Sequence, residues 1–234
     1  ATGVWERPVL GFDGEEFTEL GLAFLVEVNK WMNKKKRENV IVIGGGNVAM
    51  DVAVTAKRLG AKSVTLIFRK PENELTASRE EIERAKEEGV QIMPQGGVKR
   101  ALYKDGQVTG MELKRTFYTR DEKGKLVLHY DEDETTIVNA DSVLMAAGQQ
   151  VDLSFLGDYA SARGRLVVDE ESQATSHKGV YAGGDIVSGP STVISAIRQG
   201  RNAAEAMNES VGIAKPVYKH DGFLKFDPSF SELH

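Results

Sequence analysis

Gly44-Gly45-Gly46-Asn47-Val48-Ala49 fits the pattern G-x-G-x-x-A, between an apolar β-branched run and a stretch with helical spacing. Glycine at the first position permits a tight turn, and at Gly46 it lets a pyrophosphate approach the backbone; Ala49 replaces the third glycine. The helix that follows offers unpaired N–H donors and the positive end of a dipole, which suits a diphosphate. The pattern alone also occurs in structural bends, so its context decides. Val40-Ile41-Val42-Ile43 suits a strand buried on both faces. Val48, Val52, Thr55 and Leu59 recur at three- and four-residue steps, predicting the apolar stripe of a helix that Gly60 closes. A second apolar run, Ser63 to Phe68, completes a βαβ unit, and the expected ligand is a dinucleotide.

The end of that second strand selects the nucleotide. NAD-specific sites place a carboxylate about 20 residues past the turn to accept from the ribose 2′-OH. Here Arg69-Lys70 stands about 25 residues after Gly44, and two cations there favour the 2′-phosphate of NADP(H) over simple solvation of a strand end. Asp51 lies in the first turns of the helix, where a carboxylate is favoured by the dipole without touching a ligand. Two readings of Asn47 stand equally: a side-chain contact to phosphate, or a residue that terminates the turn.

The chain has 234 residues, of which 41% are hydrophobic and 28% charged, enough for one sizeable core or two small ones. Apolar stretches break well short of the ~18 residues a spanning helix needs, so no membrane association is expected. A formal charge of −5 argues against a nucleic-acid partner. The basic cluster Lys34-Lys35-Lys36-Arg37 reads as a solvated helix end. Cysteine is absent, which removes thiolate metal sites, iron–sulfur ligation and a redox dithiol from this chain. The four histidines are scattered without an i, i+4 pair, so no metal site is expected. With no targeting segment recognised, the cytoplasm is the expected compartment.

Around the turn, the pattern predicts an amphipathic connecting helix from Glu16 to Lys36 and a charged helix from Thr76 to Glu88 opened by a Thr or Ser cap. Val90 to Met93 reads as a third parallel strand. Val98 to Tyr103, Val108 to Tyr118 and Lys125 to Tyr130 then predict an antiparallel meander, and Ser142 to Ala147 the next core strand. Short strands are expected at Arg165 to Val168 and Val180 to Ala182, and a helix from Ser191 to Met207 after the Gly189-Pro190 break. Glu80 and Glu81 belong to a charged helix face, and no general acid or base is nominated.

A second glycine signature lies in GVYAGGD, Gly179 to Asp185. Thr175 with Gly184-Asp185 resembles the second FAD signature of the two-dinucleotide-domain flavoproteins. With GGGNVAMDVAVTAKRLGA, VTLIFRK, ASREEIERAKEEGV, the AAGQ turn at Ala146 to Gln149 and AIRQGRNAA, the sequence is similar to the glutamate synthase small-subunit family of NADPH-dependent oxidoreductases. The resemblance covers Ala1 to about Met207. It implies an α/β fold: a Rossmann-like NAD(P)-binding domain with a parallel sheet, an antiparallel β-meander insertion, and the C-terminal part of an FAD-binding domain. The implied divisions are a crossover segment and helix at 1–37, the NAD(P)H-binding domain at 38–148, the FAD-domain part at 149–212 and a tail at 213–234.

The activity so implied is hydride transfer from NADPH to FAD, with electrons passed onward to an iron–sulfur or catalytic partner domain or subunit. That transfer needs no protein nucleophile. By the same resemblance Gly44, Gly45, Gly46, Asn47, Val48, Arg69 and Lys70 hold the nicotinamide nucleotide. Gly184 and Asp185 meet the ribityl chain, Thr192 and Val193 face the flavin, and Ala147 and Gly148 lie beside both cofactors. Family members open with their own G-x-G-x-x-G unit for FAD. Its absence implies a fragment lacking the N-terminal FAD motif, with that half as a further partner and flavin not held tightly by this chain alone. Self-association through a face left uncovered is left open. A thioredoxin-reductase-like reading lacks its dithiol, and a non-catalytic nucleotide-binding regulatory or interaction module is the alternative from another class.

Overall fold

Alternate residues of a strand point to opposite faces, so a run that is apolar throughout needs cover on both sides. In the computed structural model, which describes residues 8–31, 36–122, 124, 126–149, 153 and 165–213, that cover is provided. Two compact units divide the chain: Trp5–Gln150, and Ala1–Val4 with Val151–His234.

The first unit is built on a five-stranded parallel sheet. Its strands are β1 (Glu19–Leu20), β2 (Asn39–Ile43), β3 (Ser63–Phe68), β4 (Gln91–Pro94) and β8 (Ser142–Met145), in the order β1-β8-β2-β3-β4. Helices α1 (Gly21–Trp31), α2 (Asn47–Arg58) and α3 (Arg79–Glu87) connect the parallel strands. Between β4 and β8 the chain makes a three-stranded antiparallel sheet of β5 (Gly96–Lys104), β6 (Gln107–Arg120) and β7 (Leu126–Asn139). Val40, Val42, Val64, Leu66 and Leu144 pack with α1 and α2, while Ile41, Ile43, Ile67, Val143 and Met145 pack against Ala101, Met111 and Leu113 of the antiparallel sheet. Strand pleat alone divides one apolar run between two cores.

Several expectations need correction. The helix expected from Glu16 starts at Gly21; before it Glu15–Phe17 is a 3-10 turn and Glu19–Leu20 pairs with Leu144–Met145 as an edge strand. Arg37 is not solvated. Its guanidinium is buried, bonded to Glu19 at 2.6 Å and Ser142 Oγ at 3.2 Å and lying over the Phe24 ring, so it ties β1 to β8. Lys34 and Lys35 lie outside the described residues. On α2 the buried stripe is Ala49, Met50, Val52, Ala53, Val54 and Ala56, whereas Val48 and Leu59 are exposed: short side chains let the helix sit close to the sheet, which moves the contact face.

The third meander strand runs through the acidic residues to Asn139. It does so because a register shift there lets Glu132 and Glu134 reach Lys114 and Arg115. Its expected start at Lys125 lies outside the described residues.

In the second unit, the short strands expected near 165–168 and 180–182 reduce to single bridges, Val168 with Thr175 and Ala174 with Tyr181. The tight Asp169–Gln173 turn leaves no room for longer pairing: Asp169 Oδ1 accepts from the Glu171 and Ser172 amides and the Ser172 hydroxyl. α4 (Asp185–Ser188) and α5 (Val193–Ser210) follow. Among the described residues no helix is long and apolar enough to cross a membrane.

Candidate functional site

The chain leaves β2 for α2 on one side and β8 lies on the other, so the strand order reverses at β2. Ligands of open α/β sheets bind at such a switch point, beyond the carboxyl ends of the strands. The glycine turn sits there. Gly44 has φ of 151°, and a Cβ on it would lie 2.3 Å from the carbonyl oxygen of Ala146, where β8 ends. A Cβ on Gly45 would meet the Phe68 ring at 2.3 Å. These two glycines are required by the protein's own packing.

Gly46 is different. Its Cβ would meet only Thr76 Oγ1, at an ordinary 3.5 Å, so nothing in the described packing excludes a side chain there. A glycine that the fold does not need fits a ligand that must come close. Gly46 is also the N-cap of α2, in extended conformation, and supplies no side-chain cap. Among the described residues no acceptor takes the N–H groups of Gly45, Gly46, Asn47 or Val48. Four amide donors without an acceptor among the described residues, beside the positive end of a helix, are an arrangement suited to an anion.

Neighbouring groups complete it. Asn47 Oδ1 accepts the Ser78 N–H at 2.8 Å, so this oxygen fastens the loop after β3 over the turn, a role the sequence did not disclose. Arg69 follows β3 directly, is exposed, and meets no carboxylate among the described residues; Lys70 pairs with Glu74 at 3.2 Å. Ala147 and Gly148 leave β8 next to the turn, Ala146 N–H bonding Ile43 O at 2.8 Å, and Gly148 takes φ of 107°. Asp51 is exposed and lies near Glu81 and Arg84 of α3. Partial desolvation and then Glu81 raise its pKa, with Arg84 opposing.

In the second unit, the Thr175 hydroxyl donates to Val180 O at 3.0 Å and accepts the His177 N–H at 3.2 Å, closing the turn before Gly183. Gly184 has φ of 79°, and its N–H bonds Gln199 Oε1 of α5. Gln199 also packs where a Gly183 side chain would stand, and only a structure could reveal this partner fifteen residues away. The Asp185 carboxylate is half-buried and receives no hydrogen bond among the described residues. Thr192 caps α5 by accepting the Ser195 N–H at 3.2 Å, and Val193 and Ile194 behind it are 76% and 78% exposed. An open carboxylate for hydroxyls and an apolar helix start for a ring fit the residues FAD would require. Among the described residues no His, Asp or Glu cluster gathers to hold a metal ion.

The family model of the pyridine nucleotide-disulphide oxidoreductases matches residues 1–200. The chain belongs to this family. Among pyridine nucleotide-disulphide oxidoreductase relatives, it is similar to the glutamate synthase [NADPH] small chain of Escherichia coli, 35% identical over 182 residues. That match takes in 73% of this chain and 38% of the small chain. It is equally similar, at 35% over 218 residues, to the NADP(+)-dependent formate dehydrogenase subunit beta of Moorella thermoacetica, with 89% of this chain and 31% of that subunit covered. The chain thus spans about a third of the length of these curated relatives, 38% of one and 31% of the other. The sequence resemblance to the glutamate synthase small-subunit group is borne out.

Thioredoxin reductase from T. acidophilum superposes with a TM-score of 0.69 at 25% identity, covering 89% of this chain and 64% of that one. FprA from Mycobacterium tuberculosis, solved in complex with NADPH, gives 0.71 at 13% identity over 91% of this chain and 63% of FprA, a likeness of fold. The α/β architecture expected from the sequence is the one these structures share.

Proposed function

We propose that this chain is the NADPH-binding portion of a flavin-dependent oxidoreductase, receiving hydride from NADPH for FAD and passing electrons to a partner domain or subunit. The observation that carries the reading is the glycine turn at the switch point, with four unclaimed amide donors above a Gly46 whose bareness the packing does not require. An exposed Arg69 at the end of β3 supports a 2′-phosphate contact, and the names of the two similar proteins specify NADPH and NADP(+). Gly44, Gly45, Gly46, Asn47 and Val48 bind the diphosphate; Ala147 and Gly148 border it. In the second unit Asp185 accepts from ribityl hydroxyls while Val193 offers apolar contact.

Flavin, when bound, supplies the hydride acceptor. The chain's residues have to orient the nicotinamide and keep water out. The multi-component character of the similar proteins supports a partner subunit in general; the iron–sulfur or catalytic partner and the complementary FAD-binding half are the specific form proposed here.

Titration of NADPH, followed by its fluorescence, tests the reading against the Gly46→Val variant. A Cβ at 46 meets only Thr76 Oγ1, at 3.5 Å, and the extended backbone there suits any residue, so the variant is expected to fold, which its circular dichroism checks. It is expected to bind at least ~100-fold more weakly by blocking the anion site. Equal affinity of the two proteins would overturn the assignment.

A further inference from the structure

Three donors converge on the carbonyl oxygen of Gly45. The amides of Thr76 and Ala77 reach it at 2.9 and 3.0 Å, and the Thr76 hydroxyl at 3.2 Å. A carbonyl has two lone pairs, so two amides satisfy it and the longest bond, from the hydroxyl, is surplus. The same Oγ1 is the atom that stands 3.5 Å from where a Gly46 side chain would begin. It therefore borders the space through which an anion reaches the free amides of Gly45, Gly46, Asn47 and Val48. The loop's position does not depend on this hydroxyl, because Ser78 N–H is held by Asn47 Oδ1 at 2.8 Å and Ala77 N–H by Gly45 O.

We propose that Thr76 is a nucleotide-binding residue: on binding, its hydroxyl hydrogen turns from Gly45 O to a diphosphate oxygen lying over Gly46. Gly45 O keeps both amide donors, so the exchange leaves no buried acceptor unpaired, and the phosphate gains a donor from the loop opposite the helix. The inference rests on the dinucleotide reading of the turn and assigns a new contact within it. It also separates two anion sites, the hydroxyl serving the diphosphate common to NADH and NADPH while Arg69 serves the 2′-phosphate of NADPH alone.

The test is titration of the full chain with NADPH, NADH and adenosine 2′-phosphate, using wild type, Thr76→Val and Thr76→Ser. Valine keeps the shape and removes the hydroxyl. It is expected to raise Kd for NADPH and NADH by the same factor, about 5- to 10-fold, since the bond to a charged oxygen replaces the long bond to Gly45 O and only the difference is lost, and to leave adenosine 2′-phosphate unchanged. Serine is expected to bind within twofold of wild type. The proposal is overturned if Thr76→Val binds both dinucleotides like wild type, if the loss is confined to NADPH, or if serine fails to restore binding. Wild type that binds neither dinucleotide would instead bring down the reading of the turn itself, a result distinct from these three.

Discussion

At the scale of single residues, the neighbours Arg69 and Lys70 are not equivalent. Lys70 spends part of its charge on Glu74, whereas Arg69 meets no carboxylate among the described residues and keeps its planar fork for a ligand. A guanidinium–phosphate pair contributes about 1.5–3 kcal/mol. Arg69→Asp is accordingly expected to weaken NADPH by roughly 10- to 150-fold and leave NADH nearly unchanged, while Lys70→Ala has the smaller effect. Calorimetric titration with both coenzymes checks this, and matching losses for the two would remove Arg69 from the 2′-phosphate. Both cations were legible in the sequence because their place at a strand end is set by chain order. The difference between them was not, since Glu74 reaches Lys70 only through the 3-10 turn at Glu72–Glu74. Of the Thr or Ser cap expected for α3, Ser78 does the capping, and the role of Thr76 was not legible because its position over Gly46 arises from tertiary hydrogen bonds.

Between elements, two carboxylates act with opposite sign. Glu112 of β6 accepts from Lys99 and Arg100 of β5, and those bonds lower its pKa. Its stabilisation is complete above the ordinary glutamate value and disappears as pH falls through the depressed folded one. Asp51 of α2 is exposed, and partial desolvation first and Glu81 of α3 second raise its pKa, so its charged form carries a small, solvent-screened cost at neutral pH that is relieved on acidification through that raised value. Glu112→Gln should melt below wild type at pH 7 and Asp51→Asn above it, with both gaps closing in acid. Melting curves from pH 7 to pH 3 check this; a gap that stays constant with pH would place its origin in packing.

The elements themselves were mostly readable, because β2, α2, β3 and α3 each carry their own periodicity and punctuation. β1 was not: two residues become a strand only by pairing with β8, more than a hundred residues onward. Arg37 was misjudged with it, since the pocket that buries it is assembled from Glu19, Phe24 and Ser142.

For the whole molecule, the division into two units assigns the two cofactor-related motifs to different bodies: the glycine turn to Trp5–Gln150, and the Gly183-Gly184-Asp185 turn to the unit containing Val151–His234. Among the described residues, the first shows a layered core, with apolar residues on both faces of a parallel sheet, and the second does not. The second, among its described residues, relies on single bridges and a helix whose Val193, Ile194 and Ile197 face solvent. A ligand that binds one folded body stabilises that body by RT ln(1 + [L]/Kd), about 2.7 kcal/mol at a hundredfold excess over Kd. Differential scanning calorimetry is therefore expected to resolve a transition of the first unit that NADPH moves upward by roughly 5–10 °C, and a weaker transition that it does not move. A single transition shifted as a whole would mean that the two bodies unfold together, with the second unit drawing its stability from the core of the first.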